Sequence, residues 1–355
     1  MLQCRCRGRV RGPWSDVEDT RREARRPRRG PAAGRRTTHR DAPPGEGCVS
    51  GPVRLPRRET FRVDDHPRRF ADNRYVYAVL SRRARGLSIG INLNPDKRCN
   101  FDCIYCQVDR SVPSEVDRVD EAVLLAELRA MLAAAARGEL TDLARLDGVP
   151  DALRRVADVA FSGDGEPTTW PGFDRLVGTV GDAIDALLPG VPMTLITNAS
   201  TFHLTRVRRA LDALTRRGGR VWAKLDAGTD EYYRFVAVTK VPFARILDNI
   251  REQACRHPLV IQSLFLRFRG EGPSSREIDA WAARLAGIVA AGGALAGVQV
   301  TTVARRPPTP DVTALDAADL DRIAAAARQA VPGVPVETFP ARLDGADGNP
   351  EEPRS

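Results

Sequence analysis

Six short apolar or β-branched segments, at residues 87–93, 156–161, 193–197, 221–225, 259–265 and 298–303, each precede a stretch whose apolar residues recur at helical spacing. No other feature of the chain constrains its fold as strongly. Some of the strand-like segments alternate and others are continuously apolar, as strands covered on both faces are. The helical stripes include Leu124, Leu128 and Met131; Phe173, Leu176, Val177 and Val180; Val207, Leu211 and Leu214; Ile246 and Ile250; Trp281 and Leu285; Leu320 and Ile323. Ser274 stands three residues before Glu277, the spacing of a capping box, and Gly138 and Gly218 are placed to end helices. Parallel strands need crossover connections, so six βα units in a row imply a parallel sheet with helices outside it. Two closures compete. An open, doubly wound nucleotide-binding sheet would carry a glycine-rich turn after its first strand, and that loop carries cysteines instead. The expected class is therefore α/β, a partial (βα)6 TIM-like barrel with curled parallel strands and helices outside. In either closure the chemistry belongs at the carboxyl ends of the strands.

The chain has 355 residues and a formal charge of +9, which invites a nucleic-acid partner. That charge is unevenly placed. Residues 1–70 hold 19 Arg and 9 acidic residues, leaving 36 basic and 37 acidic side chains for the rest. An RNA partner is therefore not supported by the charge of the body. Residues 1–60 are rich in Arg, Pro and Gly without apolar periodicity, and read as a disordered extension. Residues 61–335 are expected to form the core domain with a short lead-in, and residues 336–355 a flexible tail. No apolar run reaches the roughly 18 residues of a membrane span and no signal-peptide pattern follows the basic start, so no membrane partner and a cytoplasmic location are expected.

Seven cysteines, odd in number and scattered, do not read as a disulfide framework. Cys99, Cys103 and Cys106 form C-x3-C-x2-C directly after the first strand. Zinc is one alternative for such a cluster, but it closes a tetrahedron with four ligands and no second pair or neighbouring His follows. Three thiolates without an obvious fourth suit an iron–sulfur cubane better, one iron being left open to an exogenous ligand. An electron-transfer ferredoxin would complete its set of four. Cys255 falls on an expected helix and reads as small core packing; Cys4, Cys6 and Cys48 lie in the extension.

The stretch LSIGINLNPDKRCNFDCIYCQVDR resembles the cluster-binding region of radical S-adenosylmethionine (radical SAM) enzymes, with Tyr105 as the aromatic residue of the signature. The resemblance continues through FSGDGEPT, LITNAS and WAKLDAGTDEYY, and is most like the subgroup related to wyosine-base synthases. It implies that Cys99, Cys103 and Cys106 hold a [4Fe-4S] cluster and that SAM chelates its open iron, to be split reductively to a 5′-deoxyadenosyl radical that takes hydrogen from an unknown substrate. It also implies a one-electron donor such as flavodoxin or ferredoxin. Tyr105 would lie near the adenine, unless it merely packs beside the loop. Gly163, Asp164, Gly165, Glu166 and Pro167 match the family's loop for the methionyl amino group, with Asp164 where a glycine is usual.

Thr197, Asn198, Lys224 and Asp226 sit at strand ends and are candidates for the SAM carboxylate and ribose; capping the next helix is the competing role for Asn198. Gln262 and Ser263 interrupt an apolar strand and either face ligand or satisfy each other structurally. Thr301, Thr302 and Arg305 are weaker candidates. Two further readings stand beside the SAM-cleaving enzyme: a tRNA-modifying relative, and a non-catalytic cluster protein that would need neither the 162–167 loop nor an open iron.

Overall fold

A computed structural model of the chain describes residues 70, 72–114, 116–140, 149–305, 307 and 309–341. The strands are β1 (Val76–Ser81), β2 (Gly86–Ile91), β3 (Val156–Phe161), β4 (Met193–Thr197), β5 (Arg220–Lys224), β6 (Leu259–Phe265), β7 (Arg267–Phe268), β8 (Leu295–Thr302), β9 (Val312–Thr313) and β10 (Val336–Phe339). The helices are α1 (Glu121–Ala136), α2 (Phe173–Leu187), α3 (Thr205–Arg216), α4 (Asp230–Ala237), α5 (Phe243–Arg256), α6 (Ser275–Ala290) and α7 (Ala317–Ala330). Eight strands form one sheet in the order β1-β2-β3-β4-β5-β6-β8-β10. Only the β1–β2 pair within it is antiparallel. The sheet curls into a half-barrel with the helices on its outer side, the partial TIM-like arrangement expected of the βα alternation.

Successive residues of a strand point to opposite faces, and both faces here are covered. Ile89, Val159, Leu195, Ile261 and Val300 are fully buried, as are Leu128, Val177, Leu211, Ile250, Trp281 and Ile323 of the helices. Helix ends follow the local signals. The Ser274 hydroxyl accepts from the Glu277 N–H, and Gly138 and Gly218 take φ of 77° and 73° just past α1 and α3. Asp120, Thr229 and Asp316 cap α1, α4 and α7 in the same way. Glu277 completes only half of its box: its carboxylate takes the Gly228 and Thr229 N–H groups and the Thr229 hydroxyl, fixing the loop after β5.

Among the described residues, four strands and one helix go beyond the expected set. β1 runs back along β2 through a turn at 82–85, with Arg85 at φ 57°, and Glu127 of α1 accepts the N–H groups of Arg74, Tyr75 and Val76 at its start. That turn fills the half-barrel at the amino ends of the parallel strands. Ala84 packs with Ala157 and Trp222, and the Arg83 guanidinium lies 5.8 Å from the Trp222 ring. The expected extension over 1–60 lies outside the described residues, as do Cys4, Cys6 and Cys48. The tail boundary at 335 is corrected by β10, whose Val336–Phe339 pair with Val298–Thr301 of β8. Cys255 is exposed and not in the core, because its place on α5 turns it toward solvent, with its Sγ 3.4 Å from the Ala291 carbonyl.

Candidate active site

The segment 92–110 leaves the carboxyl end of β2 and is fastened at several points. The Asp102 and Ile104 N–H groups donate to Ala237 and Val236 at the end of α4, and the Thr239 hydroxyl donates to the Asn100 carbonyl. Ile104 is buried, and the Phe101 ring meets that of Tyr233 edge-on at 6.1 Å. Helix α4 is thus the platform of the cysteine segment. Its signal is present in the sequence, a Thr cap followed by Tyr232, Tyr233, Phe235 and Val236, but eight residues give too short a stripe to stand out.

Cys99, Cys103 and Cys106 line one cavity of about 310 Å³, together with Tyr105, residues 162–166, Thr197, Asn198, Lys224, Asp226 and Gln262. All three thiols are free and half-buried. Burial, then the Asp226 charge, pushes the Cys103 thiol up to about 12, and burial raises Cys99. Among the described residues no three His, Cys, Asp or Glu side chains converge on a single metal ion. The fit to a larger group rests on the donor set, three thiols opening from one loop into one cavity, the protein's share of a cubane with an open corner.

The loop after β3 presses against this segment. A Cβ on Gly163 would come within 2.2 Å of Asn92 Oδ1, and one on Gly165 within 2.1 Å of the Arg98 carbonyl. These glycines therefore serve close approach of the two loops to each other. Neither they nor Asp164 adopt a positive φ, so Asp164 replaces a glycine without strain. Its carboxylate accepts from Asn92 Nδ2 at 2.7 Å, and its N–H donates to Asn92 Oδ1 at 3.1 Å. In the sequence Asn92 reads only as the end of a strand.

Glu166 is buried and accepts four hydrogen bonds, from the Thr168 N–H and hydroxyl, the Thr197 hydroxyl at 2.6 Å and the Asn198 N–H at 2.7 Å. Burial still holds its carboxyl above the ordinary value, against the lowering effect of those donors. Asn198 does not cap α3, whose first turn begins after Leu204. Its side chain accepts from Ser200 and donates to Asn100 Oδ1 at 2.8 Å, tying β4 to the cysteine loop.

On the far wall, Asp226 accepts from the Tyr105 hydroxyl and from the Leu264 N–H at 2.8 Å, and forms an ion pair with Lys224 Nζ at 3.3 Å. Lys224 also lies 5.2 Å from the Tyr105 ring centroid. Burial first, then Asp226, raises the Tyr105 phenol well above its usual range, so it stays a hydrogen-bond donor. Gln262 faces the cavity and donates to Gln299 Oε1 at 3.0 Å. Ser263 does not face it. As the next residue along β6 it points to the helix layer, where its hydroxyl donates to the Leu225 carbonyl at 2.6 Å and accepts from Trp281 Nε1 at 3.0 Å. Pro167 also lies outside the lining, buried at the start of a 3-10 turn. Thr301, Thr302 and Arg305 do line the cavity.

The radical SAM superfamily model matches residues 93–254. Two UPF0026 proteins of Helicobacter pylori, of strains 26695 and J99, are 28% and 31% identical over 38% of this chain. The chain spans little more than a third of those relatives, 37% of each. Among solved structures, a radical SAM methyltransferase from Sphaerobacter thermophilus has a TM-score of 0.50 at 15% identity, covering 74% of this chain and 68% of that one. That likeness is one of fold. A structure of TYW1 with a lysine-pyruvate adduct bound has a TM-score of 0.46 at 15% identity, covering 72% and 84%. Over residues 93–254, less than half of its length, the chain is similar to the radical SAM superfamily, whose enzymes generally use a [4Fe-4S] cluster and S-adenosylmethionine.

Proposed function

We propose that the chain is a radical SAM enzyme that binds one [4Fe-4S] cluster on Cys99, Cys103 and Cys106 and cleaves SAM reductively, for hydrogen abstraction from a substrate. The carrying observation is that the three cysteines open onto the same cavity as the 162–166 loop and the polar ends of β4, β5 and β6. A bound cluster supplies the electron that splits the sulfonium into methionine and a 5′-deoxyadenosyl radical; binding, orientation and exclusion of water fall to the protein.

Each residue then has a distinct task. The four donors to the Glu166 carboxylate leave the backbone of 163–165 as the partner of the methionyl amino group. Thr197 and Asn198 act chiefly by holding that loop and the cysteine loop together. Asp226, oriented by the Leu264 N–H, is the acceptor for ribose hydroxyls; Tyr105 flanks the adenine, and Lys224 supplies a cation for the carboxylate. Gln262, held by its hydrogen bond to Gln299, adds a polar group to the cavity wall. A one-electron donor such as flavodoxin or ferredoxin is the partner this chemistry needs. A tRNA substrate has no specific observation in its favour.

The test is anaerobic reconstitution of the full chain with iron and sulfide, then reduction by dithionite with SAM present. Formation of 5′-deoxyadenosine and methionine is expected, and both cluster and cleavage disappear in Cys103→Ala. A colourless, zinc-loaded product, or cleavage retained in Cys103→Ala, overturns the ligand assignment.

A further inference from the structure

Arg110 lies four residues past the last cysteine of the signature. Its guanidinium Nη1 donates to Cys106 Sγ at 3.1 Å. The rest of the fork is fixed by main chain: Nε donates to the Lys97 carbonyl at 3.0 Å and Nη2 to the Asp164 carbonyl at 3.4 Å. Lys97 presents that carbonyl from a left-handed backbone, φ 59°, where the loop turns toward Cys99. One planar cation thus joins the start of the cysteine loop, the Cys106 sulfur and the loop after β3. The Asp102 carboxylate stands 3.9 Å away, beyond hydrogen-bond distance, so it balances the charge without replacing the bond to sulfur.

Resting on the reading that Cys106 is a cluster ligand, we propose that Arg110 is a positioning residue that sets the reduction potential of the bound cluster through Cys106. Electron density on a cluster's thiolates increases when the cluster is reduced. A charged N–H donor at one of them therefore stabilises the reduced form more than the oxidised one, and raises the potential. Arginine suits the task because its fork is held by two carbonyls while a third N–H reaches the sulfur. The contact to Asp164 O carries the same cation to the loop proposed to receive SAM.

The experiment is a potentiometric titration, followed by electron paramagnetic resonance, of the anaerobically reconstituted full chain as wild type, Arg110→Gln and Arg110→Lys, with iron and sulfide content measured for each. In Arg110→Gln the ratio of reduced to oxidised cluster at a fixed potential should fall at least tenfold, a negative shift of about 59 mV or more for a one-electron couple. Arg110→Lys keeps the charge without the fork and should fall between. An unchanged midpoint in Arg110→Gln at full iron content overturns the inference. Should that variant take up no cluster, an unchanged midpoint in Arg110→Lys overturns it equally. Wild-type chain that takes up no cluster removes the reading under Proposed function and this inference with it, whereas a loaded wild type whose potential ignores position 110 removes this inference alone.

Discussion

Glu166 illustrates why a residue carried over from a signature has to be weighed against its own hydrogen bonds. Its Oε1 takes three donors and its Oε2 one, all from the polypeptide. In Glu166→Gln an amide N–H must face one of these donors. The loss is expected to be about 1–3 kcal/mol, read from chemical denaturation. The sign of its pH dependence follows from the raised carboxyl: the contribution is greatest below the unfolded value near 4.5 and is lost as pH rises through the folded value. Stability measured against pH should therefore be flatter over that window in Glu166→Gln than in wild type. Glycines separate in the same way. Gly165→Ala puts a methyl against the immobile Arg98 carbonyl and should reduce iron uptake on reconstitution several-fold, whereas Gly178→Ala, with nothing within 4 Å inside α2, should stabilise by about 1 kcal/mol.

Among elements, those that were legible are the ones whose pattern is set by burial on two sides. Strands β3, β4 and β6 occupy the expected residues because each is a short, mainly apolar stretch that begins just after a charged residue or a proline. β1 and β10 were not, since sheet-edge strands take their status from pairing across the chain: β1 is identified by its turn into β2, and β10 by its parallel register with β8. Within the site, residue types and strand ends were readable, but which face of a strand a polar residue serves was not, as Gln262 and Ser263 show. The β1–β2 turn allows a test of which of its contacts carry weight. The Arg85–Glu337 ion pair joins the turn to β10 but is largely exposed, so Arg85→Ala should cost about 1 kcal/mol or less. Trp222 is buried beneath the same turn, and Trp222→Ala should cost about 3–5 kcal/mol. Equal losses in the two denaturation midpoints would mean that the turn is held by its charges.

At the scale of the whole molecule the question is whether the basic start belongs to the chemistry. Residues 1–70 hold the positive excess, 19 Arg against 9 acidic residues, while the remainder is within one charge of neutral. Polyanion binding is driven by release of counterions, so it should follow the arginines and weaken steeply with salt. Among the described residues, the cavity is lined from Tyr77 onward. Removing residues 1–60 should then separate the two properties. The shortened chain is expected to form 5′-deoxyadenosine within about twofold of the full chain, because each residue assigned to cluster and SAM is retained. Its retention on a generic RNA at low salt should drop to the level expected of a near-neutral body. If cleavage is lost while the cluster still assembles, the extension contributes to the site. If RNA retention survives the truncation with its salt dependence intact, the body itself binds phosphate, and a tRNA substrate gains the observation it now lacks.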